Sequence, residues 1–353
     1  MKFYSTNNKY LNEDFRTALF KGMPSDKGLY MPQFLPDLSK LFNQENRMSF
    51  QEVSFEISKK FLDEDLSKNQ IHNIIESCVT FDAPNKKIEK NLYCLELFHG
   101  PTLAFKDFGA RFMAQCMQRL RDNSSNEINI LVATSGDTGG AVANGFYDVD
   151  GINIIILYPK GKVSEIQEKQ LTTLDRNVFA LEVDGTFDDC QKLVKKAFLD
   201  DKLKEQINLS SANSINIARL IPQSFYYAHS YMQLDNKKLP TIFSVPCGNF
   251  GNITAGLIIK KMGLPFNKII ASTNSNDVIP KFLENGKFSP KPSIQTISNA
   301  MDVGNPSNIV RIMDLYHTVE KLKMDMISWS FNETETSNLI KEFFLEKKYI
   351  LDP

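Results

Sequence analysis

From residue 124 onward the chain alternates short apolar runs with longer amphipathic stretches, and this alternation restricts its possible folds more than any other feature. Runs at 128–133, 152–157, 178–183, 241–245 and 269–272 have the length of strands, while stretches at 141–147, 187–199, 217–232 and 253–262 have helical apolar spacing. Repeated strand–helix–strand order is the sequence form of βαβ units around a parallel sheet, since parallel neighbours need a crossover. Several runs pass directly into glycine-containing turns that open a helix, which is where open α/β sheets place their ligands. Chemistry is expected at those turns. Residues 1–90 differ, mixing helical periodicity at 50–61 and 66–78 with loops such as 28–36, and read as an N-terminal subdomain. Segment 285–307, with its Pro, Ser and Asn residues, reads as a long irregular connection.

The chain has 353 residues, room for two or three domains with substantial cores. Its 41 Lys+Arg against 42 Asp+Glu leave a net charge of −1, which supplies no overall field for nucleic acid or an anionic membrane. Hydrophobic content of 42% with 24% charged residues excludes disorder over a long stretch. The five cysteines are odd in number and widely spaced, never as C-x-x-C, which argues against a disulfide framework or a structural zinc site. His72, His99, His229 and His317 lack metal-ligand spacing, so no metal is expected. With no apolar run of membrane-spanning length, a soluble protein of a reducing compartment is expected.

Four constellations could carry chemistry. In Phe98–Gly109 a single lysine, Lys106, lies among Leu103, Phe105 and Phe108 after a Gly-Pro turn. Desolvation there would favour the neutral amine that a Schiff base needs, although a lysine snorkelling past its own stem accounts for the same composition. Thr134-Ser135-Gly136-Asp137-Thr138-Gly139 follows a strand and precedes a small-residue helix, so backbone N–H groups and hydroxyls could meet a carboxylate or phosphate. A plain helix N-cap is the other reading. Cys247-Gly248-Asn249-Phe250-Gly251-Asn252 offers unobstructed amides without a cation, which suits an anion held by backbone and helix dipole, or else an ordinary βα turn. It lacks the G-x-G-x-x-G spacing of a dinucleotide site. In 211–219, Asn213, Ser214, Asn216 and Arg219 could converge on one oxyanion, or could form a capped surface helix.

A desolvated lysine, two anion turns and an Asn/Ser/Arg cluster together suit pyridoxal phosphate and a phosphorylated or carboxylated substrate. In order and wording, the motifs at 98–109, 134–139, 212–216 with Arg219 and 246–252 closely resemble the threonine synthase family. Ala300-Met301-Asp302, Pro306-Ser307-Asn308, Tyr4-Ser5-Thr6 and Gly28-Leu29-Tyr30 extend the resemblance over nearly the whole chain.

The resemblance implies an α/β fold of the fold-type-II class, two open twisted α/β domains with the cofactor between them. It places the lysine and substrate loops in a smaller domain at 91–235 and the cofactor phosphate in a larger one at 236–353. Lys106 would bond to the aldehyde of pyridoxal 5'-phosphate and later shuttle protons, and Gly248, Asn249, Phe250, Gly251 and Asn252 would hold the cofactor phosphate. Ser135, Gly136, Asp137 and Thr138 would receive the substrate carboxylate, and Asn213, Ser214 and Arg219 its phosphate. The implied reaction turns O-phospho-L-homoserine and water into L-threonine and phosphate, in a cytoplasmic monomer or homodimer. Family members usually continue past the point matching Tyr349–Pro353 to further strands and a Ser or Thr facing the pyridine nitrogen, so the ending reads as a truncation. Two other functions fit the motifs: a lyase of the threonine deaminase or phospholyase kind, and a catalytically silent ligand-binding remnant.

Overall fold

A computed structural model describes residues 1–44, 47–122 and 127–352. In chain order the first elements are β1 (Lys2–Ser5), β2 (Asn8–Asp14), α1 (Phe15–Lys21), β3 (Tyr30–Pro32), α2 (Ser39–Phe42), α3 (Phe50–Leu62), α4 (Lys68–Cys78), β4 (Asn85–Glu89) and β5 (Leu92–Leu95). There follow α5 (Lys106–Leu120), β6 (Ile128–Ala133), α6 (Asp137–Gly145), β7 (Ile152–Pro159), α7 (Glu165–Thr172), β8 (Val178–Val183), α8 (Phe187–Leu199), α9 (Asp201–Gln206) and β9 (Asn208–Ser211). The remainder comprises α10 (Ile217–Leu220), α11 (Gln223–Met232), β10 (Ile242–Pro246), α12 (Gly251–Lys261), β11 (Lys268–Thr273), α13 (Val278–Asn285), α14 (Ile309–Tyr316), α15 (Val319–Asp325), β12 (Met326–Ser330) and α16 (Glu333–Lys347).

The chain divides into two compact units, one of residues 1–34, 49–82 and 97–225, the other of residues 35–48, 83–96 and 226–353. The units change at Phe225–Tyr226, whereas the sequence reading placed a limit at 235, and most of 1–90 groups with 97–225. The reason is visible at Asn216, whose buried Nδ2 donates to Leu19 O of α1 at 2.9 Å and to Ser211 O of β9 at 3.0 Å.

The first unit is built on a parallel sheet ordered β8-β7-β6-β9, with Ile128 opposite Ile152 and, on the other side, Asn208. Ile152, Ile154 and Ile156 alternate along β7 and are fully buried, each such burial stabilising the fold by about 1.5–3 kcal/mol. Helices cover the sheet, as parallel strands require. On α8, Cys190 and Val194 pack against Leu131 and Ala133 of β6. A small antiparallel sheet ordered β2-β1-β3 completes this unit, and α5 docks through Phe112 on Phe225 and Phe108 on Phe50, both at 5.6 Å between ring centroids. The second unit has a parallel sheet ordered β10-β11-β12 and the hairpin β4-β5. Phe243 packs there between Tyr227, at 5.0 Å, and Phe266, at 5.1 Å.

Two expectations change and a third holds. The loop 28–36 contains β3, which pairs with β1. The helix expected over 217–232 is two helices, because Pro222 has no N–H to continue the first and starts the second. Segment 285–307 is irregular apart from one 3₁₀ turn at Asn299–Met301, and Thr296 and Asp302 bind it to Asn274, whose Nδ2 donates to Thr296 Oγ1 at 2.9 Å and Asp302 Oδ1 at 2.8 Å. Pro353 lies outside the described residues. Among those residues, no helix is long and apolar enough to cross a membrane, and no group of three His, Cys, Asp or Glu side chains could hold a metal ion.

Candidate active site

In the first unit the candidate residues gather where strands end and helices begin. Lys106 opens α5 without a side-chain cap, after a turn that is fixed by its own neighbour. Asp107 is fully buried, and its carboxylate accepts from Thr102 N at 2.9 Å and Thr102 Oγ1 at 2.6 Å. Burial pushes the Asp107 carboxyl upward, while the two donations from Thr102 favour its charged form. Gly100 leaves room for this arrangement, since a Cβ there would collide with the Asp107 carboxylate and stand 2.8 Å from Phe81 Cζ. Leu103, at the turn's tip, has a φ of 60°, a left-handed conformation that a non-glycine residue adopts at a cost. The lysine turn is thus held in place before any ligand arrives.

The apolar cage expected around Lys106 is only partial. Leu103 is 69% exposed and shields nothing, whereas the Phe105 ring centroid lies 5.2 Å from Nζ. The main partner is a charge: Nζ donates to Asp137 Oδ2 at 2.9 Å. Asp137 begins α6 immediately beyond the carboxyl end of β6. Burial opposes its ionisation, but the Lys106 charge and the hydrogen bonds from Lys106 and Gln167 outweigh it and hold the carboxyl below its ordinary value. Thr134 shapes the loop, its Oγ1 accepting from Gly136 N at 2.9 Å and Gly139 N at 2.8 Å. Gly136 has a φ of 135°, outside the range of ordinary side chains. Ser135 and Thr138 are half-buried on either side. An Asp137 already held by Lys106 and carrying negative charge is a poor partner for a substrate carboxylate, which leaves the loop amides and the Ser135 and Thr138 hydroxyls for that purpose.

Beside this loop, β9 runs parallel to β6, so the segment after Ser211 leaves the same carboxyl edge of the sheet. Asn213 and Ser214 are half-buried there. Asn216 and Arg219 do not join them as expected. The Asn216 side chain is spent on Leu19, Ser211 and its own helix, where Oδ1 accepts from Ala218 N at 3.0 Å. Arg219 is 3% exposed, its Nη1 donates to Ala212 O, and its Nε is buried without a partner. Burial draws the Arg219 guanidinium down to about 10, against the attraction of Asp107. Neither the solvated arginine nor the four-residue convergence is present.

In the second unit, β10 ends at Pro246 and α12 begins at Gly251. Between them Phe250 takes a left-handed φ of 59° with its ring buried. The first-turn amides of α12 have no partner inside the helix, and the dipole there favours negative charge. The asparagine side chains serve the scaffold: Asn249 Oδ1 accepts from Ser307 N at 2.6 Å, Asn249 O from Asn308 Nδ2 at 3.0 Å, and Asn252 Oδ1 from Tyr227 Oη at 2.7 Å. At Gly248 a Cβ would stand 2.8 Å from the backbone of Met301. The segments 300–302 and 306–308 therefore brace the loop. Glycine-lined amides at a helix start, with no acidic side chain among 248–252, fit a phosphate monoester, and a half-buried primary amine at Lys106 fits an aldehyde. The residues fit pyridoxal phosphate.

Sequence reasoning held Thr134 and Asp107 within its motifs without giving either a role, and it missed Gln167. Ser164-x-x-Gln167 is a capping-box signature that could have located the start of α7; nothing local showed that its glutamine reaches Asp137.

Comparison with known proteins extends over the whole chain. A family model described as "Pyridoxal-phosphate dependent enzyme" matches residues 76–353, and one described as "Threonine synthase N terminus" matches residues 2–79. The threonine synthase of Buchnera aphidicola subsp. Acyrthosiphon pisum is 46% identical over 365 residues, spanning 100% of this chain and 82% of that protein. The crystal structure of Escherichia coli threonine synthase aligns with a TM-score of 0.93 at 39% identity, over 100% of this chain and 82% of that one. The pyridoxal-phosphate-bound threonine synthase of Brucella melitensis aligns equally, with a TM-score of 0.93 at 33% identity, over 100% and 83%. With family models covering its length, and relatives of this identity matched over four-fifths of their own, the chain belongs to the threonine synthase family of pyridoxal-phosphate-dependent enzymes.

Proposed function

We propose that the protein converts O-phospho-L-homoserine and water to L-threonine and phosphate, with Lys106 as the amine that binds the cofactor. The ion pair between Lys106 and Asp137 carries this reading: it sets a primary amine at the start of α5 against the loop that closes β6. Pyridoxal phosphate, when bound, supplies an electron sink that stabilises negative charge developing on the substrate's carbons. Gly248, Asn249, Phe250, Gly251 and Asn252 hold the cofactor phosphate through backbone amides and the α12 dipole. Lys106, once its amine is free of the cofactor, accepts and returns protons at Nζ, and Asp137 keeps that nitrogen in place meanwhile. Ser135, Gly136 and Thr138 orient the substrate carboxylate. Asn213 and Ser214 reach the substrate phosphate from the neighbouring strand end, and Arg219 supports that segment from beneath through Ala212 O. A cytoplasmic enzyme, monomeric or homodimeric, acting on a small molecule rather than nucleic acid completes the reading.

The test is a product assay on purified holoenzyme supplied with O-phospho-L-homoserine. Equal amounts of phosphate and threonine are expected. Phosphate accompanied by 2-oxobutyrate would instead establish a phospholyase, and no turnover by a protein that binds the cofactor would establish a silent relative.

A further inference from the structure

Gln167 is the third residue of α7 and uses both ends of its amide. Oε1 accepts from Ser164 N at 3.2 Å and Ser164 Oγ at 3.1 Å, closing the capping box that begins the helix. Nε2 donates to Asp137 Oδ1 at 2.6 Å, while the other oxygen of that carboxylate holds Lys106 Nζ at 2.9 Å. One continuous chain of contacts thus runs from the start of α7 to the reactive amine. Gly136 keeps it open, because any Cβ there would collide with the Gln167 side-chain amide.

The capping box does not require an amide at this position. A carboxylate would accept from Ser164 equally well, as Glu52 does for Ser49, Asp189 for Thr186 and Glu335 for Asn332. What a carboxylate lacks is a hydrogen to give Asp137. The helix therefore leaves the choice of glutamine unexplained, and the Asp137 contact explains it.

We propose that Gln167 is a positioning residue for the reaction: by fixing one oxygen of Asp137 it keeps the other on the Lys106 amine whenever that amine is not bonded to the cofactor. The proposal rests on reading Lys106 as the cofactor-bearing lysine. The side chains bearing on the Asp137 carboxylate are Lys106 from α5 and Gln167 from α7, both of which favour its charged form. Replacing the amide by an acid retains the cap and sets two carboxylates against each other. One of them then takes up a proton at higher pH, and the lysine loses its fixed counter-ion.

The experiment compares wild-type, Gln167→Glu and Ser164→Ala holoenzymes by thermal unfolding, by pH profiles of kcat and KM, and by pH titration of the cofactor's visible absorbance band. Gln167→Glu should unfold within a few degrees of wild type, lose about tenfold in kcat with little change in KM, and move the acidic limb of the kcat profile and the band titration up by about one pH unit. Ser164→Ala removes a cap hydroxyl but leaves Ser164 N–H to hold the amide, so it should lower the unfolding temperature and leave both pH signatures in place. A folded Gln167→Glu enzyme with wild-type pH signatures would overturn the proposal, as would a Ser164→Ala enzyme whose signatures move equally. Should Gln167→Glu fail to fold, Gln167→Leu takes its place, and unmoved signatures there count against the proposal in the same way. Borohydride fixation of the cofactor on the same proteins separates the two levels: label on Lys106 with unmoved signatures defeats this proposal alone, and absence of label on Lys106 defeats the reading beneath it.

Discussion

At the scale of single residues, charge placed beside one amine organises the candidate site. Asp137 is held below its ordinary pKa of 3.8, so the stability it contributes is fully present above the unfolded-state value and is lost as pH falls through the folded one. Asp137→Asn should accordingly flatten the fall of the unfolding temperature between about pH 4 and pH 2, which calorimetry across that range can check. An identical acid limb in the two proteins would show that the ion pair contributes nothing. Arg219→Ala presents a different case, because the guanidinium is buried and its removal opens space beneath Ala212 and takes away one of the two cations, with Arg111, that favour the charged form of Asp107. A loss of about 1–3 kcal/mol in denaturant unfolding is expected, with cofactor binding retained and KM for the phosphorylated substrate raised. Gly248→Ala sets a Cβ 2.8 Å from the Met301 backbone, which cannot swing aside as a side chain would. It should cost about 1–3 kcal/mol and weaken cofactor affinity at the same time. Affinity unchanged after that substitution would remove the 248–252 loop from the cofactor site.

At the scale of elements, the strands that carry the site were legible because parallel strands are buried on both faces and spell themselves out as apolar runs. The run 128–133 coincides with β6, and 152–157 lies within β7. The antiparallel strands were not legible for the converse reason: β2 reads Asn-Lys-Tyr-Leu-Asn-Glu-Asp and is largely exposed, so no alternation marks it. The start of α5 was hidden as well, since Lys106 has no capping side chain before it and Gly109 sits in the second turn. Residue types in the four motifs pointed to anions and an amine. What the motifs could not show was which side chains would be consumed by the scaffold, as Asn216, Asn249 and Asn252 are, because Leu19, Ser307 and Tyr227, which engage them, lie 25 or more residues away. Ile156→Ala in β7, whose residue is fully buried at the middle of the larger sheet, should cost about 2–5 kcal/mol through the cavity it opens. A loss under 1 kcal/mol would mean that β7 does not sit in a packed core.

At the scale of the whole molecule, the chain belongs to a family of pyridoxal-phosphate-dependent enzymes, whose cofactor carries both an aldehyde and a phosphate. A ligand that binds the folded state alone stabilises it by mass action, about 2.7 kcal/mol at a hundredfold excess over Kd. Adding pyridoxal phosphate to stripped protein should therefore raise the unfolding temperature in a concentration-dependent way, and Lys106→Ala should blunt that rise. The most direct test of the central claim is chemical. Holoenzyme reduced with borohydride, digested and mapped by mass spectrometry should carry the phosphopyridoxyl group on the peptide containing Lys106; label on any other lysine, or none at all, would contradict the account.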